Sequence, residues 1–229
     1  MGVQIKICGM RRAEEIEAAV EAGADLLGFN FWPETARYIP PEEAVPLVRS
    51  VPSHVCTVGV FVDETPERVR EIAAMTGISA LQFHGSESPE YLERLGSPQM
   101  IKAFKVTEEF SPEALQSYGV AYAFLLDGYV AGGLPGGTGK VFDWSHARRA
   151  GEFGKVIVAG GLNEGNVATA IRQTHPWGVD VCSGVEIRPG EKDPKLIRDF
   201  ILAAREAEHQ LSSLELDTLA FARQKRAAR

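Results

Sequence analysis

The run Ile5-Lys6-Ile7-Cys8-Gly9-Met10-Arg11 carries the chain through a short apolar strand onto a thiol and a glycine. In a doubly wound nucleotide-binding sheet, the turn after the first strand reads Gly-x-Gly-x-x-Gly. Cys8-Gly9-Met10-Arg11 stands in that place, which argues against the open sheet. Similar runs occur at 4–8, 25–31, 55–62, 79–83, 100–104, 122–127, 155–159 and 179–182. They are short and mostly continuously apolar, as parallel strands covered on both faces are. Helical segments fall between them. Residues 12–22 place Ala13, Ile16, Ala19 and Val20 on one face and stop at Gly23. Thr65-Pro66, Ser88-Pro89 and Ser111-Pro112 are start signals, with a capping hydroxyl before a proline at the first helical position. Asn163 caps a helix through Val167 and Ile171, and Asp193-Pro194 opens the last one. Eight strands, each followed by a helix, predict a single α/β domain over 1–205, a (β/α)8 TIM barrel. The polar end, 206–229, reads as an appended helix or a disordered extension.

The totals agree with one such barrel. The chain has 229 residues, 45% of them apolar, enough for a sizeable core without disulfides or metals. A net charge of −7 argues against nucleic acid or an anionic membrane as partner, yet leaves room for an anionic small molecule in a local positive pocket. Cys8, Cys56 and Cys182 are an odd, unclustered set, which fits neither a disulfide framework nor a zinc site. No signal peptide and no membrane-length apolar run are read, so the expectation is a reduced, cytoplasmic protein, monomer or homodimer.

Two reactive side chains end strands of this barrel: Cys8, and Asp127 after Phe124-Leu125-Leu126. The C-terminal strand ends form the active face of such barrels. Lys6, two residues before Cys8, points the same way and favours the thiolate, the form that removes protons. A partly desolvated Asp holds its proton more tightly, as a general acid requires. Cys56 and Cys182 are read as packing, and Asp180 and Asp143 as structural. Arg37 after the second strand can grip a carboxylate in bidentate fashion, or be a solvated loop residue. His84 ends the fourth strand, where it can bond a substrate or hold a turn. Gly160-Gly161 after the seventh strand and Ser183-Gly184 after the eighth lie in the two loops that commonly cradle phosphate. Lys140 and Lys192 either add charge there or are plain surface lysines. The glycine-rich stretch 131–140 after the sixth strand is a candidate active-site loop. No metal-ligand spacing and no Gly-x-Ser-x-Gly elbow is found.

These pieces together resemble the phosphoribosylanthranilate isomerases of tryptophan biosynthesis, from residue 4 to about 204. The resemblance is carried by Lys6-Ile7-Cys8-Gly9, Gly28-Phe29-Asn30-Phe31, Arg37-Tyr38-Ile39, Val58-Gly59-Val60-Phe61-Val62 and Leu81-Gln82-Phe83-His84-Gly85. It continues through Gly136-Gly137-Thr138-Gly139, Phe142-Asp143-Trp144, Ala159-Gly160-Gly161-Leu162, Ser183-Gly184-Val185-Glu186 and Gly190-Glu191-Lys192-Asp193. It implies an Amadori rearrangement of N-(5-phosphoribosyl)anthranilate to 1-(2-carboxyphenylamino)-1-deoxyribulose 5-phosphate, with no cofactor and no metal. It further implies Asp127 as general acid, Cys8 as general base and Arg37 as the clamp for the anthranilate carboxylate. Gly161, Ser183 and Gly184 become the phosphate site. Glu34-Thr35-Ala36 and Phe83 depart from the family's usual residues without removing a chemical group. The histidine-pathway isomerase of the same barrel class is the nearest alternative. It is expected to carry an aspartate where Cys8 stands. A non-catalytic phosphate-binding barrel is the other.

Overall fold

The computed structural model describes residues 2–97, 99–128 and 144–227. The candidate loop 131–140, with Lys140, and Asp143 lie outside these residues. Eight parallel strands pair in chain order: β1 (Gln4–Cys8), β2 (Leu26–Asn30), β3 (Cys56–Phe61), β4 (Ala80–Phe83), β5 (Met100–Val106), β6 (Ala123–Gly128), β7 (Val156–Ala159) and β8 (Gly178–Val181). β8 closes on β1, with Gln4 opposite Gly178 and Ile7 opposite Val181. The expected barrel is therefore present, each strand end within two residues of its expected place.

Alternation along the strands divides the apolar residues between two layers. Leu26, Val58, Ala80, Ile101 and Leu125 fill the barrel interior. Ile5, Ile7, Leu27, Phe29, Phe61 and Phe83 face the helices. Because both faces are buried, the runs read as continuously apolar. Lys6 lies opposite Leu26 and Cys8 opposite Gly28, so both point inward. The period-2 argument for Lys6 and Cys8 holds.

Helix α1 (Ala13–Ala22) stops at Gly23, whose φ of +92° suits only glycine. α2 (Pro41–Ser50) follows β2 as the strand–helix alternation requires; Pro46 lies inside it, and burial of Ala44 and Val48 compensates. α3 (Pro66–Thr76) and α4 (Pro89–Leu95) start as expected, Thr65 accepting from the Arg68 N–H and Ser88 from the Tyr91 N–H, both at 3.3 Å. The Ser111-Pro112 signal opens only a 3-10 helix, Pro112–Tyr118; the Ser111 hydroxyl donates to the Glu113 carboxylate and makes no cap hydrogen bond. α5 is Ser145–Ala150. α6 (Val167–Thr174) begins after Asn166, not Asn163. Asn163 instead makes a turn, its carboxamide accepting from the Gly165 N–H at 2.9 Å. A 3-10 turn, Ser183–Val185, and an antiparallel pair, β9 (Glu186–Arg188) and β10 (Glu191–Lys192), follow β8.

The last helix, α7 (Pro194–Ala227), buries Ile197, Phe200, Ile201, Ala204 and Ala207. Its Arg205 donates to the carbonyls of Val3 (2.8 Å) and Gly23 (2.9 Å) and to the Asp25 carboxylate (2.7 Å). Asp25 in turn accepts from the Ile5 N–H at 2.7 Å. The two ends of the barrel are thus fastened beside β1. Among the described residues no helix is long and apolar enough to cross a membrane.

Candidate active site

Barrel closure builds the surroundings of Cys8. The Lys6 ammonium lies 2.7 Å from Asp180 Oδ1, with side chains 1% and 9% exposed. Asp180 is thus structural in the sense that it neutralises a buried lysine. A Cβ placed on Gly28 would sit 2.9 Å from Cys8 Sγ and 3.2 Å from Lys6 Nζ. The glycine leaves the slot in which thiol and ammonium meet. Burial alone would discharge Lys6, but Asp180, and after it Cys8, hold it charged and above its ordinary range. Cys8 moves the other way, down to about 6. The first cause is the neighbouring Cys182 thiol, and Lys6 also lowers it, against the burial that opposes both. Cys182 is therefore not mere packing. Register explains why: Ile7 opposes Val181, so the next residues along, Cys8 and Cys182, leave adjacent strands side by side.

Arg37 reaches this region from the loop after β2. Its Nε and Nη2 donate to Glu186 Oε1 (3.0 Å) and Oε2 (2.7 Å) in a bidentate pair. The same carboxylate, 3% exposed, lies 3.3 Å from Lys192 Nζ. Lys192 is buried, not a surface lysine: its Nζ also donates to the Cys182 carbonyl (3.2 Å), and its N–H to Glu15 Oε1 (3.1 Å). Burial raises the Glu186 carboxyl, yet Arg37 and Lys192 together hold it below the usual carboxylate range. The Glu186 hydrogen bond likewise holds the Arg37 guanidinium above its usual range. Since Glu186 takes the Nε–Nη2 edge, the Nη1–Nη2 edge is left for a second carboxylate. Lys6, Arg37 and Lys192 against Asp180 and Glu186 leave one surplus positive charge, which a Cys8 thiolate neutralises.

Asp127 points inward from the end of β6. Its Oδ2 lies 3.2 Å from His84 Nε2, and His84 Nδ1 lies 3.1 Å from Gln82 Nε2. With Gln82 donating to Nδ1, the imidazole proton sits on Nε2 and faces an Asp127 carboxylate. The buried Gln82 Oε1 has no partner among the described residues. Turning that amide over makes Nδ1 the donor and lets Nε2 accept from a protonated Asp127. The two amide orientations thus match the two protonation states of the acid. A buried pair holds the turn after His84: Glu87 accepts from Lys102 Nζ (2.8 Å), the Gly85 N–H (3.0 Å) and the Asp63 N–H (2.8 Å).

The glycine loops close the far side. At Gly160, with φ of +83°, a Cβ would meet the Gly128 nitrogen at 2.2 Å and Asp127 Oδ1 at 2.7 Å. Only glycine lets the β7 loop pass the acid. A Cβ on Gly184 would lie 1.9 Å from the Leu162 carbonyl, so the loops after β7 and β8 touch there. The Gly161 carbonyl accepts from Asn166 Nδ2 at 2.9 Å, and Ser183 opens the adjacent 3-10 turn. Cys8, Arg37, His84, Asp127, Gly161, Ser183 and Gly184 therefore all lie at C-terminal strand ends or in the loops that follow them. Glu186, Cys182 and Gln82 were missed as functional candidates. Glu186 ends the Ser183-Gly184-Val185-Glu186 motif, but no local spacing pairs it with an arginine 149 residues away. Among the described residues no group of three or more His, Cys, Asp or Glu could hold a metal ion.

Comparison with known proteins agrees with this geometry. The family model described as N-(5'phosphoribosyl)anthranilate (PRA) isomerase matches residues 5–203. An N-(5'-phosphoribosyl)anthranilate isomerase of Desulforudis audaxviator is 49% identical over 205 residues, covering 89% of this chain and 98% of the relative. The crystal structure of phosphoribosyl anthranilate isomerase from Thermotoga maritima is 38% identical with a TM-score of 0.83, covering 89% of this chain and 99% of that one. A phosphoribosyl anthranilate isomerase in complex with reduced 1-(o-carboxyphenylamino)-1-deoxyribulose 5-phosphate is 37% identical with a TM-score of 0.80, at the same coverage. With a closed barrel, a thiol at the end of its first strand and a match along most of its length, the chain belongs to the phosphoribosylanthranilate isomerase family of tryptophan biosynthesis.

Proposed function

We propose that this protein rearranges N-(5-phosphoribosyl)anthranilate to 1-(2-carboxyphenylamino)-1-deoxyribulose 5-phosphate, with Asp127 as general acid and Cys8 as general base. The observation that carries this reading is the inward placement of both groups at the C-terminal mouth of one barrel, each in a different electrostatic setting. Asp127 protonates the ribose ring oxygen, the C1′–O bond breaks, and the anthranilate nitrogen supplies the electron pair that forms the iminium. The Cys8 thiolate then takes the C2′ proton. The electrons of that C–H bond flow into the iminium, and the resulting enolamine tautomerises to the ketone. The iminium is the electron sink, so this chain's own residues need only move protons. The free Nη1–Nη2 edge of Arg37 takes the anthranilate carboxylate, and Gly161, Ser183 and Gly184 take the phosphate. His84 bonds Asp127 directly and so accompanies the acid through both protonation states.

Loss of substrate fluorescence on adding purified protein tests the reading, with Cys8→Ala and Asp127→Asn beside the wild type. Removing either proton-transfer group is expected to lower kcat by at least about 100-fold. In the wild type, kcat/KM is expected to be bell-shaped in pH, as an essential acid and an essential base together require, with the limb that rises through about 6 reporting the Cys8 thiolate. Well-folded wild type that leaves the fluorescence unchanged sinks the assignment.

A further inference from the structure

The buried pair of Lys102 and Glu87 has no part in the reaction just described, yet it bonds the backbone on both sides of His84. We propose that Lys102 and Glu87 are positioning residues that fix His84, and through it Asp127, for the rearrangement. This rests on the proposed reaction. Lys102 lies opposite Phe83 in the β4–β5 register, while its neighbours Ile101 and Ala103 fill the barrel interior. Its side chain therefore stands on the helix side of the sheet. There its three ammonium protons meet three acceptors: the Phe83 carbonyl at 3.4 Å, the Gly85 carbonyl at 2.7 Å and Glu87 Oε2 at 2.8 Å. Glu87 Oε2 also accepts from the Gly85 N–H at 3.0 Å, and its Oε1 accepts from the Asp63 N–H at 2.8 Å. His84 sits between the two bonded carbonyls, and its own N–H donates to the Phe61 carbonyl at 2.9 Å.

Energetics argue that geometry, rather than stability, is what this pair supplies. The Lys102 and Glu87 side chains are 3% and 1% exposed. Apolar side chains of the same volume are often as stabilising as a buried ion pair, because both charges of the pair lose their water. Apolar side chains cannot, however, hold chosen backbone groups at fixed distances. The groups held here belong to the turn that carries His84. Asp63 completes the frame from the end of β3, with a φ of +49°, uncommon outside glycine. Its carboxylate accepts from the Ser86 N–H at 2.6 Å. A Cβ on Gly85 would lie 2.8 Å from the Asp63 nitrogen, so the turns after β3 and β4 interlock there. The frame holds the backbone and leaves the imidazole to Gln82 and Asp127. The proton roles of the ring can exchange while its place is kept. That matters because a misplacement of about 1 Å can cost about 100-fold in rate.

The test removes both charges at once, so that neither is left buried alone. Lys102→Met with Glu87→Gln is made in the full chain, with and without His84→Asn. In the parent background kcat is expected to fall about tenfold, with KM kept within about twofold. In the His84→Asn background the same two substitutions should change kcat by less than about twofold, since a positioning role acts only through His84. Amide hydrogen exchange at His84 and Gly85 should quicken at least about tenfold, while exchange in β1 stays as in the parent. Should the double variant fail to fold, Glu87→Asp, which keeps the charge and shortens the reach, carries the same expectations. An equal loss of kcat with and without His84 makes the pair merely structural and overturns the inference. A folded variant with the parent's kcat, or with the parent's exchange at His84 and Gly85, overturns it too. Absence of turnover by the parent overturns the proposed reaction instead, and the exchange measurement still reads the frame, so the two failures are separable.

Discussion

The two halves of the site solve opposite problems. Around Cys8, five charged side chains and a second thiol form a closed network, and the reactive sulfur is itself buried. Around Asp127, one imidazole and one amide form a short chain, with side chains 35% exposed for the acid and 24% for His84. A thiol is mostly protonated at neutral pH unless its surroundings intervene, so Cys8 in its proposed role as base needs fixed positive charge in a dry place. In the proposed reaction Asp127 takes up and releases a proton each cycle, and a partner whose donor and acceptor roles can exchange suits that task. The base half is therefore rigid and expensive to disturb, and the acid half is adaptable.

The largest expected effect breaks the base half alone. Lys6→Met strands Asp180 without a counter-charge and should cost about 3–5 kcal/mol, read from urea unfolding. It should also raise the Cys8 titration well above 6. Adding Asp180→Leu should recover much of the stability while the thiolate stays scarce, which would separate fold maintenance from charge tuning. An unmoved titration in Lys6→Met would remove Lys6 from the account of the base. A smaller effect is expected on the acid half. Gly160→Ala forces a side chain at a φ of +83° against Gly128 and Asp127. Kinetics should show kcat lower by roughly 10–100-fold as the acid is displaced. The Cys8 titration should hold in that variant, and if it moved too, the halves would not be independent. The smallest effect is expected for Cys56→Ser, at a half-buried packing position on β3. Stability should change by about 1 kcal/mol, with kcat/KM kept.

Much of the base half's address was legible in the sequence, and little of its chemistry. Period-2 alternation is local, so it places Lys6 and Cys8 on one face without knowledge of the fold. The partner of Lys6 is not local. Asp180 lies 174 residues away and meets Lys6 only through the register of β8 on β1. The same closure turns Cys182 from a packing residue into a neighbour of the base, and the β9–β10 pair buries Lys192 beneath Glu186. Helix caps behaved as local signals do. Thr65 and Ser88 each accept from the backbone N–H three residues on, whereas the Ser111 hydroxyl donates to Glu113 and makes no cap bond. Helix α2 follows from the strand–helix alternation alone, since Pro46 is a breaker locally and burial of Ala44 and Val48 holds the helix.

Closure of β8 on β1 also has a consequence for how the chain is made. At about 5–20 residues per second, a ribosome needs roughly 10–35 s to travel the 174 residues from Lys6 to Asp180. Arg205, which fastens Val3, Gly23 and Asp25, emerges later still. Throughout that interval the nascent chain carries a lysine destined for burial with no counter-ion, a thiol without the field that activates it, and an unpaired strand edge. On the proposed reaction, Cys8 therefore lacks its activating surroundings until β8 has emerged. Docking of β8 supplies the counter-ion of Lys6 and covers the open edge of the first strand in a single event.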